Sequence, residues 1–236
     1  MLTFVILPDW LPWVAGTVAV IVIVLAISAA LARKRTQALT EVALQSGFNF
    51  EGNKWNDPGK GESLQTALFT KGRSRTFRNI MTGSSSGLPV SVLDYSYVVG
   101  YGRSQRTCAQ TVAVFSGTGL HMPEFAMEPK GLMGKIGEAF THKNITFDHY
   151  PEFSRNYQLR GPDQDRIRGL FNPALLSFLE TLDRKKNWSL EGSADTLIIY
   201  HAGTKTKPQE LRTFLEEATA LASTFLRLSA AKASIA

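Results

Sequence analysis

Five residues, Gly83-Ser84-Ser85-Ser86-Gly87, fit the G-x-S-x-G pattern in which hydrolases present a nucleophilic serine, with Ser85 in the central place. Asp148 and His201 follow in an order that a Ser-Asp-His triad permits. The chemistry would be acyl transfer, the imidazole taking the serine proton while the carboxylate orients the imidazole. The context speaks against it. A nucleophile elbow joins a strand to a helix, whereas the residues after Gly87 read as another strand, and a polar hairpin turn gives the same letters. Asp148-His149 is a second acid–base pair, but neighbours on a strand point to opposite faces, and a solvated loop pair is its ordinary reading. A hydrolase using Ser85 or Asp148 with His149 is therefore the alternative reading. It requires those side chains to converge within ~3.5 Å.

The histidines His121, His142, His149 and His201 show no close ligand spacing, and the single Cys108 cannot supply a thiolate cluster, so no metal is expected. Gly100-Tyr101-Gly102 lacks the later glycine of a dinucleotide fingerprint, and Gly59-Lys60-Gly61 lacks the rest of a P-loop. Both read as turns, and no cofactor is expected. Lys71, Arg73, Arg75 and Arg78 form the densest basic stretch outside the N-terminal region, and on an extended strand the first three share one face. They are candidate contacts for anionic lipid headgroups, against the competing reading of a solvated strand guarded by charge. The chain carries a formal charge of +6; three basic residues and Asp9 lie in the first thirty-five, leaving about +4 for the rest. That is too little to imply nucleic acid.

These residues are positioned by a chain of two parts. Trp13 to Ala32 runs for about twenty residues without a charge and is followed at once by Arg33, Lys34 and Arg35. At ~1.5 Å per residue it matches the ~30 Å hydrocarbon core of a bilayer, with Trp13 suited to the headgroup interface. A cleaved signal peptide would carry its positive charge before the apolar core, not after it. A buried soluble helix would show a polar side, which Val18 to Leu25 (VAVIVIVL) lacks. The Arg33-Lys34-Arg35 cluster predicts a single-pass protein with residues 1–12 as a short outer tail, 13–32 as the span and the remainder cytoplasmic. Residues 33–50 are read as a basic juxtamembrane segment and helix, and 51–236 as the cytoplasmic domain.

Within that domain, Thr76–Thr82, Leu88–Val99 and Arg106–Phe115 are predicted strands joined by short turns, an antiparallel meander. Glu128–Lys143 reads as an amphipathic cover helix. Asn172-Pro173 opens a helix with Leu175, Leu176, Leu179 and Leu182 on one face. Trp188–Glu191 and Thr196–His201 form a hairpin, and a long amphipathic helix begins near Pro208. Strand and helix periods mix without regular alternation, which gives an α+β class: an N-terminal transmembrane helix, then antiparallel sheet with packed helices. Two similar hairpins suggest two lobes, about 64–127 and 144–228.

Several short segments taken together, Gly72-Arg73-Ser74-Arg75 with Asn79, Asp94-Tyr95-Ser96-Tyr97, Thr111-Val112-Ala113, Met122-Pro123-Glu124-Phe125 and Pro151 to Leu159 (PEFSRNYQL), resemble a family of bacterial single-pass membrane proteins of unknown function. The resemblance implies an inner-membrane anchor and a cytoplasmic domain, and carries no catalytic residues. The sequence reading is thus a non-enzymatic binding or scaffolding module. Its partners are the lipid bilayer, anionic headgroups and an unidentified protein.

Overall fold

A computed structural model describes residues 11–54, 65–119, 121–131 and 143–230. The first element, α1 (Leu11–Gln45), is one continuous helix of 35 residues. No glycine or proline interrupts it after Gly16, so the span and the predicted juxtamembrane helix are a single rod about 52 Å long. Its most apolar eighteen-residue stretch has a mean hydropathy of 2.7 and is wholly exposed, long and apolar enough to cross a membrane. The Thr17 hydroxyl donates to the Trp13 carbonyl at 2.8 Å, which satisfies a polar group within its own helix. Further along, Leu39 and Ala43 are buried against the domain, and the helix stops where Gly47 takes a φ of +73°.

Eight strands follow in one antiparallel sheet: β1 (Asn49–Gly52), β2 (Arg73–Ser85), β3 (Leu88–Val99), β4 (Arg106–Ser116), β5 (Met122–Pro129), β6 (Tyr157–Arg160), β7 (Trp188–Ala194) and β8 (Thr196–His201). Their order is β1-β2-β3-β4-β8-β7-β5-β6. The predicted meander is β2-β3-β4, and β3 spans the predicted residues. The segments 64–127 and 144–228 share this sheet, since β4 pairs with β8 and β5 with β7. They do not form separate sheets: the edges of the two hairpin sets pair with each other, which satisfies backbone groups that separate sheets would leave open.

Alternation along β3 feeds two cores. Val90 and Val92 join Ala113, Phe115, Leu197 and Ile199 on one face, beneath α1 and the C-terminal helix α6 (Leu211–Ala230). Leu93, Tyr95 and Tyr97 join Val112, Val114, Ile198 and Tyr200 on the other, beneath the short helix α2 (Ala67–Thr70). Both faces being covered explains why strict polar alternation is missing from the sequence. The helices α3 (Pro151–Asn156), α4 (Gln164–Leu170) and α5 (Pro173–Glu180) extend the first core. In α5 the Asn172 side chain accepts from the Leu175 N–H at 3.0 Å, and Leu175, Leu176 and Leu179 are buried, as the cap and spacing predicted. The start of the predicted cover helix is instead strand β5, and its positions 132–142 lie outside the described residues, as do Gly59-Lys60-Gly61, His142 and the tail 1–10.

Candidate functional site

The most densely connected carboxylate among the described residues is that of Asp94, buried in the middle of β3. Arg35 of α1 grips it with two parallel bonds, Nε to Oδ2 and Nη2 to Oδ1, each 2.7 Å. The guanidinium also donates to the Thr206 carbonyl at 2.9 Å. Asn79 donates to Asp94 Oδ2 at 2.9 Å and the Thr111 hydroxyl to Oδ1 at 3.0 Å. Thr111 in turn accepts from the Thr206 N–H, and Asn79 accepts from the Thr36 hydroxyl of α1 at 2.8 Å. Burial pushes the Asp94 pKa up, but the hydrogen bonds and charge of Arg35, with help from Asn79 and Lys205, outweigh it and hold the carboxyl below its ordinary value. The arrangement is a clamp. It joins the rod to strands β2, β3 and β4 through a bidentate pair that fixes position as well as charge.

Arg35 belongs with Arg33 and Lys34 to the basic juxtamembrane segment. Arg33 and Lys34 are exposed, but Arg35 turns onto Asp94, because helical spacing places it on the face that carries Leu39 and Ala43. Sequence reading missed Asp94, Asn79 and Thr111. The signal was there: a lone carboxylate inside an apolar strand demands buried hydrogen-bond donors or a cation.

A second buried carboxylate, Glu191 of β7, lies on the opposite face of the sheet. It accepts from the Leu68 N–H and from the Tyr200 hydroxyl, both at 2.8 Å. These bonds pin α2 across the second core. Burial raises the Glu191 pKa to about 7; the Leu68 and Tyr200 donors and Lys71 lower it in part, and Glu128 raises it further. Lys71 reaches Glu128, not Glu191, at 3.3 Å.

The predicted lipid-binding cluster is divided by the fold. Lys71 is buried in its pair with Glu128. Arg73 donates to the Gly100 carbonyl at 2.7 Å and to Gln105 at 2.9 Å while lying 4.5 Å above the Tyr101 ring. Arg75 donates to the Phe69 carbonyl at 2.8 Å, under the second core, and Arg78 is exposed, opposite Asp94 in register. The shared face expected for Lys71, Arg73 and Arg75 is lost. Lys71 precedes the strand, and a register shift between Arg73 and Thr76, with Ser74 at a φ of +50°, breaks the alternation.

The hydrolase residues are scattered. Ser85 ends β2 in a hairpin leading into β3, and its hydroxyl accepts from Thr219 of α6 at 2.9 Å. Asp148 and His149 sit in an exposed turn near Arg168, beyond β6 at the opposite edge of the sheet. His201 ends β8, at the other end of the strands from Ser85, and packs edge-on against Trp188 and Phe214. Burial lowers its pKa to about 4, with Lys186 adding to the effect and Glu217 opposing it. Among the described residues no three acidic, histidine or cysteine side chains gather as a metal site.

No protein-family model matches this chain, and no curated protein matches its sequence. The crystal structure of the mycobacterial trehalose monomycolate transport factor A, TtfA, matches with a TM-score of 0.53 over 83% of this chain and 94% of that one, at 12% identity. The fold is TtfA-like. At that identity the likeness extends to the α+β architecture alone. TtfA is itself a transport factor by name, and the comparison is compatible with an uncharacterised family.

Proposed function

We propose that this chain is a membrane-anchored, non-enzymatic binding module at the cytoplasmic face of a bacterial inner membrane, acting as an accessory factor in a transport process. The observation that carries this reading is the Arg35–Asp94 clamp, which fixes an exposed apolar helix to a compact domain without a hinge. An enzyme tethered only for location tolerates a flexible linker, whereas a scaffold must hold its surface at a set height and orientation. The separation of Ser85 from Asp148, His149 and His201 removes the support for the hydrolase alternative. The transport role is drawn from the name of TtfA through a shared architecture, and is an analogy of fold. In this reading Arg33, Lys34 and Arg35 set the topology, with Trp13 at the outer interface.

The test is alkaline extraction of membranes from cells expressing the full chain, combined with thiol labelling of Ser86→Cys in a Cys108→Ala background. Retention in the membrane pellet, with labelling by an impermeant reagent only after lysis, is the expected result. Release by carbonate removes the anchor, and labelling of intact spheroplasts reverses the topology.

A further inference from the structure

The path of α1 over the sheet has a direction. Ala43 lines a cleft with Met81 and Val92, and Arg35, about two turns nearer the N-terminus, reaches Asp94. Moving up α1 toward its apolar run therefore also moves along β3 toward Val99. The strand register shows what else lies at that end. Val99 pairs with Arg106, Val112 with Tyr200, Trp188 with His201, Met127 with Leu190, and Pro129 with Tyr157. The β3–β4 turn, the segment after β8, the turn before β7 and the end of β5 consequently share the side from which α1 leaves.

That end of the sheet is basic. Arg103 occupies the β3–β4 turn, Lys130 follows β5 with its ammonium donating to the Ser154 carbonyl at 2.6 Å, and Arg184 and Lys185 precede β7 beside Asp183, whose carboxylate accepts from the Lys185 N–H. Lys186 and Lys207 lie there too, but are paired with Glu217 and Glu210. Among the described residues Arg103, Arg184 and Lys185 have no ion-pair partner. Tyr101, 80% exposed, caps the β3–β4 turn with Arg73 stacked beneath it. Between Lys130 and the Arg184–Lys185 turn a cleft of about 600 Å³, walled by Asn156, Tyr157 and one carboxylate, Asp183, against three cations, opens at the same end. The opposite end carries Asp163, Asp165 and Asp195, and its Arg166 is tied to Asp163 and the His121 carbonyl.

Helix direction and charge polarity are separate observations, and they agree. We propose that the Tyr101–Arg103 turn, Lys130 and the Arg184–Lys185 turn form a face that lies on a bilayer of anionic lipids and binds their phosphates. This rests on the membrane-anchored reading above. A tyrosine at headgroup depth keeps its hydroxyl wet and buries its ring, and cations within a Debye length of ~8 Å feel the surface potential. The face is distinct from the Lys71–Arg78 strand, whose side chains the fold divides. It tilts the sheet so that its strand ends meet the membrane.

The experiment uses the full chain reconstituted in vesicles containing a headgroup-spin-labelled lipid, with a fluorophore on Arg103→Cys or on Ser86→Cys in a Cys108→Ala background. In phosphatidylglycerol-rich vesicles, quenching several-fold stronger at position 103 than at 86 is expected. The difference should collapse at high salt, in pure phosphatidylcholine, and in the Lys130→Gln, Arg184→Gln, Lys185→Gln variant. Equal quenching at the two positions, or a difference unaffected by charge, overturns the proposal. Failure of the chain to enter vesicles at all is a separate outcome, which defeats the anchored reading and this face with it.

Discussion

Asp94 and Glu191 are both carboxylates sunk in the centre of a strand, 3% and 1% exposed, yet their surroundings push them in opposite directions. Burial raises both. At Asp94 the bidentate Arg35, with Asn79 and Lys205, outweighs that effect, and the group stays ionised. At Glu191 the donors are one backbone N–H and one tyrosine hydroxyl, and its pKa settles near 7. Desolvation sets the starting penalty, and the presence of a full positive charge decides whether it is offset. One face of the sheet thus holds a permanent ion pair that joins anchor to domain. The other holds a carboxyl that gains or loses a proton near neutral pH.

Arg35→Ala should have the largest effect, about 3–5 kcal/mol of stability, because it strands the Asp94 charge in the first core. Urea unfolding of the full chain in detergent micelles measures this. Replacing both partners, Arg35→Met with Asp94→Leu, should recover part of the loss, and failure to recover any would show that Asn79 and Thr111 matter more than the charge pair.

Glu191→Gln should act in the opposite sense. The folded-state pKa of Glu191, about 7, lies above its ordinary value of 4.5, so the folded state binds the proton more tightly. Stability therefore falls as pH rises from about 4.5 to about 7 and levels beyond it, by on the order of 3 kcal/mol. The glutamine variant should flatten that decline in unfolding curves recorded across the window. Asp94 has the reverse sign: its contribution is present above its unfolded value of 3.8 and is lost as pH falls through the lower folded value. A decline that survives in the glutamine variant would assign it to other groups.

The smallest effects should come from removing one hydroxyl at each site. Thr111→Val and Tyr200→Phe each delete a bond to a buried carboxylate, at roughly 1–2 kcal/mol. Tyr200→Phe should also move the pH-dependent decline upward, since a donor to the charged form is lost, whereas Thr111→Val should leave it in place. Equal pH profiles for the two variants would erase the distinction between the faces.

Local patterns made much of the frame readable. The Gly-Ser turn and Gly100 bracket β3, the Asn172-Pro173 pair starts α5, and the apolar spacing after Pro208 defines α6. Strands β5 and β6 were not readable. Pro123 and Pro129 fall within β5, where a register shift between Met122 and Phe125 loosens the ladder around Pro123, and β6 is four residues long. The candidate site was least legible, since Arg35 and Asp94 lie 59 residues apart. Arg35 follows two other basic residues, and nothing within that run marks it as the one that turns onto the domain.

By itself the sequence determined the apolar helix, the β2-β3-β4 meander and the amphipathic faces of α5 and α6, because each is a periodicity between near neighbours and follows from backbone geometry. Only the tertiary structure decided that α1 crosses β3 at Asp94, that Lys71 goes to Glu128, and that Glu191 receives no cation of its own. Those outcomes depend on which distant elements share a face. A buried charge finds its partner through the packing of whole helices and strands, and no local spacing encodes that.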